Sequence, residues 1–205
     1  MPFELVTTNG IFSIDGNEWE VTNNIWIVGN DREVAIIDAA HDGEAILDAV
    51  HGRRVKAILL THGHNDHVNA AVAVQDVVDA PIYLHPADDL LFDAVYPGML
   101  PDKPLVEGDK FLVGGEQLRV VHTPGHSPGC CCFATTGRVF SGDTLFCGGP
   151  GATATSTGNF ADIIKSIRTK LFILPPHTIV HTGHGESTTI GAELPQLDEW
   201  IARGS

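Results

Sequence analysis

The segment Thr61-His62-Gly63-His64-Asn65-Asp66-His67 packs three imidazoles and a carboxylate into six residues. Nitrogen and oxygen donors at that density suit a borderline cation such as Zn²⁺, and no common structural need of a folded chain produces them. His62 and His64 stand two apart, so in an extended segment they point the same way and could grip one ion. Asp66 and His67 are neighbours that diverge on a strand, which suits a second ion beside the first. Two ions about 3.5–4 Å apart form a clamp for hydrolysis. Any one histidine is usually surface or satisfied core; four donor residues in H-x-H-x-D-H order, at the end of an apolar run, reverse that weighting.

Three further segments offer donors. His122-Thr123-Pro124-Gly125-His126-Ser127-Pro128-Gly129 is stiffened by two prolines and two glycines, and spacing does not choose between its histidines. Asp143 stands at the tip of Ser141-Gly142-Asp143-Thr144, where a capping role is the plainer reading for an aspartate alone. His181 and His184 flank another strand-to-glycine turn. His85 reads as structural, and Asp38 as either a strand-end residue or an orienter of a ligand imidazole.

To act together, these donors need strands that end at a common edge. Residues 11–14, 24–28 and 33–38 read as short strands broken by turns, followed by a helix at 45–50 and a buried strand at 55–60. This β-α-β unit delivers the histidine cluster at the end of its last strand, where open α/β sheets place their chemistry. Helical spacing follows at 69–80 and 86–95, with a strand at 81–85 between them. Residues 96–109, rich in proline, glycine and acidic side chains, form a loop of the length of a substrate-side flap or a surface excursion. Paired strands at 111–121 and 131–140, an uncharged loop at 148–158, an amphipathic helix at 161–174, a strand at 178–181 and a helix at 194–202 complete the chain.

Composition excludes several classes. The 205 residues are 43% hydrophobic and 19% charged, suited to one domain spanning 1–205. Twelve Lys and Arg against 26 Asp and Glu give a net charge of −14, which repels nucleic acid. No run approaches the ~20 apolar residues of a membrane span. The start, Met1-Pro2-Phe3-Glu4-Leu5, lacks the features of a secretory signal, so the expected location is the cytoplasm. Cys130, Cys131 and Cys132 are consecutive, hence poor disulfide partners and better core residues; Cys147 reads as an apolar wall of the suspected pocket.

The motifs T-H-G-H-N-D-H at 61–67, T-P-G-H-S-P-G at 123–129, S-G-D-T-L-F at 141–146 and G-H-G with T-T-I-G at 183–191 resemble those of the metallo-β-lactamase superfamily, and within it the glyoxalase II-like hydrolases. The resemblance implies an α/β fold, an αββα four-layer sandwich, without the C-terminal glutathione-binding helical domain. It assigns His62, His64 and His126 to one Zn²⁺, Asp66, His67 and His184 to a second, and Asp143 to both, with iron or manganese as substitutes. His122 and His181 become supporting residues. It further implies a metal-bound hydroxide attacking a small acyl substrate, a thioester first of all, with Asp66 orienting the nucleophile. A mononuclear iron persulfide dioxygenase and a lactone or β-lactam hydrolase are the alternatives on the same fold. Oligomeric state is left open.

Overall fold

The computed structural model describes residues 3–204. Its first sheet runs in the order β1 (Phe3–Ile14), β2 (Asn17–Gly29), β3 (Glu33–Ile37), β4 (Arg54–Leu59), β5 (Ile82–Leu84) and β6 (Lys103–Pro104). The second holds β7 (Lys110–Val113), β8 (Glu116–His122), β9 (Cys131–Thr135) and β10 (Arg138–Gly142). A small hairpin of β11 (Leu145–Phe146) and β12 (Gly149–Pro150) precedes β13 (Ile179–Thr182) and β14 (Thr188–Thr189), which complete that sheet on the far side of β10. Helices α1 (Gly43–Val50), α2 (Asn65–Val68), α3 (Ala71–Val78) and α4 (Asp89–Val95) belong to the first half, and α5 (Phe160–Ser166), α6 (Ile190–Glu193) and α7 (Leu197–Arg203) to the second.

Strand periodicity sorts side chains into three buried layers, because neighbours on a strand face opposite ways. Ile25, Ile27, Val34 and Ile36 face outward onto Ile46, Val50, Val74 and Phe92 of the helices. Their neighbours Trp26, Val28, Ala35 and Ile37 face inward onto Leu118, Val120, Phe133 and Phe140 of the second sheet. On the far side, Val121, Val139 and Val180 meet Ile163, Ile167, Leu171 and Trp200. The result is the expected αββα sandwich. The three cysteines follow the same rule: Cys131 lies between the sheets, Cys132 beneath the outer helices, and Cys130 is buried in the turn before them.

Several local expectations are corrected. The first hairpin is far longer than runs at 11–14 and 24–28, since its two strands pair continuously from Phe3 opposite Val28 to Ile14 opposite Asn17. Its solvent-facing positions mix polar residues with exposed Leu5, Ile11 and Trp19, so no clear alternation marks its extent. The helix expected through 174 winds wider after Ser166, over Ile167–Leu171. Residues 96–109 contribute edge strand β6, pairing with β5, and bury Leu105, so they are a sheet margin, not a flap over the donors. Cys147 is exposed.

Strand direction explains why distant donors meet. β4 is parallel to β3 and β5, and β13 to β10; β8 and β10 each run antiparallel to β9 and so share a direction. The carboxyl ends of β4, β8, β10 and β13 carry the donor loops. The sheets are stitched together at that edge by Cys131 N–H donating to Thr61 O at 2.7 Å and Asn24 N–H to Gly183 O at 2.8 Å.

Phe133 is fully buried between the sheets. Its replacement by alanine is expected to cost about 3–5 kcal/mol of unfolding free energy. The measurement is a lower urea midpoint at unchanged slope in metal-free protein.

Candidate metal centre

The seven donors come together in two groups. His62 Nε2, His64 Nδ1 and His126 Nε2 converge, with separations of 3.0 Å and 2.9 Å to the central His64 nitrogen. His67 Nε2, His184 Nε2 and Asp66 Oδ2 form the second group, separated by 3.2, 3.3 and 3.6 Å. Asp143 stands between them: Oδ2 is 3.5 Å from His126 Nε2 and 3.4 Å from His184 Nε2, and Oδ1 is 3.4 Å from His67 Nε2. Asp66 and His67 reach one group because they sit on the single turn α2, where adjacent side chains diverge by about 100° instead of the 180° of a strand.

Partners behind each ring fix its tautomer. His126 Nδ1 donates to Ala152 O at 2.7 Å, and His184 Nδ1 to Thr22 O at 2.8 Å. His67 Nδ1 donates to the Asp38 carboxylate at 3.0 Å. The Thr61 hydroxyl gives its own proton to Asp38, leaving a lone pair for His62 Nδ1 at 3.0 Å. Likewise the Thr157 hydroxyl donates to the His126 carbonyl and accepts from His64 Nε2 at 3.1 Å. In its neutral form every ring therefore turns a bare lone pair inward. Five lone pairs and two carboxylates crowded at hydrogen-bond distance repel one another, and Asp66 Oδ1 and Asp143 Oδ1 are buried without a hydrogen-bond partner. A divalent cation in each group relieves both defects, so the donor chemistry fits the metals expected of it.

Without a cation, protons stand in. Burial disfavours the imidazolium of His184, but Asp143 and Asp66 outweigh it and push it up to about 10. Against the same burial, Asp143, Asp66 and Asp38 hold His67 well above its ordinary value. On the other side, burial and the His126 ring push His64 down to about 3, and burial with His67 and His64 carries His62 well down. Asp143 is held well below the usual carboxylate range: burial raises it, but His184 and His67 more than compensate.

The sequence named the residues that the fold brings together and offered Asp38 as an orienter of an imidazole, but the other supports carry no such signal. Asn23 is fully buried beside the second group. His41 N–H occupies Asn69 Oδ1, so the Asn69 amide donates to His41 Nδ1 at 3.0 Å and His41 Nε2 donates to Asn23 Oδ1 at 3.0 Å. That turns the Asn23 amide N–H onto Asp66 Oδ2 at 3.2 Å. Two asparagines heading the apolar run 25–28 were its sequence trace. Asp38 holds both Thr61 and His67 from a left-handed backbone, φ 60°, a strain tolerated where side chains over-determine it. His122 selects itself out by stacking on His85 at 4.0 Å and donating to Pro128 O at 2.9 Å. His181 packs among Phe3, Trp26 and Phe140, and burial pushes it down to about 4.

A cavity of about 330 Å³ opens onto Asp66, His126, Asp143 and His184, walled by Phe12, Val21 and Thr22 of the first hairpin. Asn65 fastens that wall, donating to Ile11 O at 2.7 Å and accepting from Ser13 N–H at 2.8 Å, which sets Phe12 against His64. Cys147 is not among the wall residues.

Fold and site together define a metal-dependent hydrolase. A family model described as the metallo-beta-lactamase superfamily matches residues 19–184, and the chain belongs to that superfamily. Hydroxyacylglutathione hydrolase GloC of Haemophilus influenzae is 34% identical over 186 residues, covering 82% of this chain and 87% of its own. Among solved structures, the BLEG-1 B3 metallo-beta-lactamase superposes with a TM-score of 0.78 at 30% identity, over 92% of this chain and 97% of that one. TTHA1623, solved in a di-iron-bound form, gives 0.74 at 35% identity, over 85% and 93%. No helix of the described residues is long and apolar enough to cross a membrane.

His184, pushed up to about 10, is protonated near neutral pH in metal-free protein. Zinc is therefore expected to release protons on binding, read calorimetrically as heats that vary with buffer ionisation enthalpy. Because His184 titrates higher folded than unfolded, its stabilisation is complete below about pH 6.5 and lost as pH rises through about 10. Chelator-treated protein should lose stability across that window, and His184→Asn should flatten the loss.

Proposed function

We propose that the chain is a dinuclear metallohydrolase of acyl thioesters, glyoxalase II-like in its reaction. His62, His64 and His126 would hold one Zn²⁺ and Asp66, His67 and His184 the other, with Asp143 available to both. The observation that carries this reading is the pair of donor groups sharing one carboxylate, each ring locked with its lone pair inward. With two cations held there, water in the site would ionise near neutral pH and an acyl oxygen would be polarised. Iron is the alternative metal, supported by the di-iron form of TTHA1623.

The chain's own residues do the rest. Asp66 lines the shared cavity and orients the attacking nucleophile there. The Asn23 amide, aligned through His41 and Asn69, holds Asp66 Oδ2 and thereby the direction in which Oδ1 points. Phe12 and Val21 pack against the acyl group and exclude water from its far side. Beyond the donors, the described wall residues Phe12, Val21 and Thr22 offer no titratable proton for a leaving group. A thiolate departs without one, whereas an amine or alkoxide does not. The likeness to a hydroxyacylglutathione hydrolase supports the same substrate class.

The test is protein carrying a measured two zinc ions per chain, assayed against S-D-lactoylglutathione and simpler acyl thioesters beside a lactone and a β-lactam. Thioester turnover is expected, with kcat reduced on the order of 10²-fold or more in Asp66→Asn. Failure of the two-metal protein to turn over any thioester would remove the reading. One iron per chain with oxygen uptake would replace it by a dioxygenase.

A further inference from the structure

A carboxylate that no reaction step uses lies behind both halves of the first donor group. Asp88, at the end of the short turn Pro86–Asp88, is fully buried. Its Oδ2 accepts from Gly63 N–H at 2.9 Å and from the Ser127 hydroxyl at 2.5 Å, while Oδ1 accepts from Gly129 N–H at 2.6 Å. Gly63 separates His62 from His64, and Ser127 follows His126. One side chain thus spans two ligand-bearing loops from different sheets, beside the Cys131–Thr61 backbone bond that also joins them.

The two glycines belong to this arrangement. A Cβ on Gly129 would lie 2.6 Å from Asp88 Cγ and displace the carboxylate, while one on Gly63 would meet Leu91 Cβ at 2.8 Å and the Asp88 carbonyl oxygen at 2.9 Å and displace the turn that carries it. Three donors, each satisfying it from a different residue, make an otherwise costly buried carboxylate acceptable. The second donor group is supported by Thr22, Asn23 and Asp38, the last shared with His62 through Thr61, and makes no hydrogen bond to Asp88.

We propose that Asp88 is the positioning residue of the first metal site: by clamping Gly63, Ser127 and Gly129 it sets the distance between the His62/His64 pair and His126. The proposal rests on the reading of the seven donors as metal ligands. Its specific consequence is asymmetry, because the clamp acts on one ion and not on the other.

The experiment is competition of zinc against a chromophoric chelator in full-length protein, resolving two affinities per chain. Asp88→Asn keeps the shape but turns a donor towards a backbone N–H. One zinc should bind about tenfold more weakly or worse, as for other residues that orient ligands from behind, with the other affinity within about threefold of wild type. Ser127→Ala, which removes one of the three donors, should weaken the same ion by a smaller factor and decides the matter if Asp88→Asn does not fold. Cobalt substitution should show the absorption change confined to one of two titration phases. Unchanged affinities in both variants, or equal loss of both ions, would overturn the clamp. Wild-type protein binding no zinc would overturn the metal reading and this proposal with it, whereas two tight ions in wild type and Asp88→Asn alike would overturn this proposal alone.

Discussion

Mutual repulsion among five inward lone pairs and two carboxylates is the constraint to which the rest of the molecule answers. A fold tolerates such a cluster only if each donor is held from behind more firmly than it is pushed from in front. Hence the hydrogen bonds on the outer nitrogen of every ring, to Ala152, Thr22, Asp38, Thr61 and Thr157. These bonds raise the basicity of the inner nitrogens and remove the tautomer that would plug the site with its own proton. The energy stored in holding like groups together becomes affinity for a cation.

The sandwich serves that purpose through strand direction more than through its core. A β8–β9–β10 meander followed by parallel β13 brings three carboxyl ends to one edge, and the parallel β3–β4–β5 run brings the 61–67 loop to the facing edge. The core between the sheets keeps those edges in register, and the few backbone bonds that cross at Thr61 and Gly183 fix them locally. Residues far apart in sequence then need little more than short, stiff loops.

Donor residues were legible because chemistry limits which side chains bind metals, and because strand-then-glycine-then-histidine recurs along the chain. The layer order came from the family resemblance, and the fold bears it out by sending Ile25 and Ile27 to one buried layer and Trp26 and Val28 to the other. The extent of the first hairpin was not legible, since its outer half faces solvent on both sides and no burial pattern marks Asn17 to Glu20. Nor was the choice between His122 and His126, which spacing leaves open and a stacked His85 settles. Asn23, His41 and Asp88 escaped for a common reason: amides and carboxylates that orient ligands carry no motif of their own, and their role exists only across contacts 18 to 43 residues apart.

The central claim is that the two donor groups hold two cations with Asp143 between them. The most direct measurement is a crystal structure of zinc-loaded protein with anomalous scattering collected above and below the zinc edge. Two anomalous peaks are predicted, one among His62, His64 and His126, the other among Asp66, His67 and His184, with Asp143 contacting both. A single peak, or peaks away from these residues, would contradict the account.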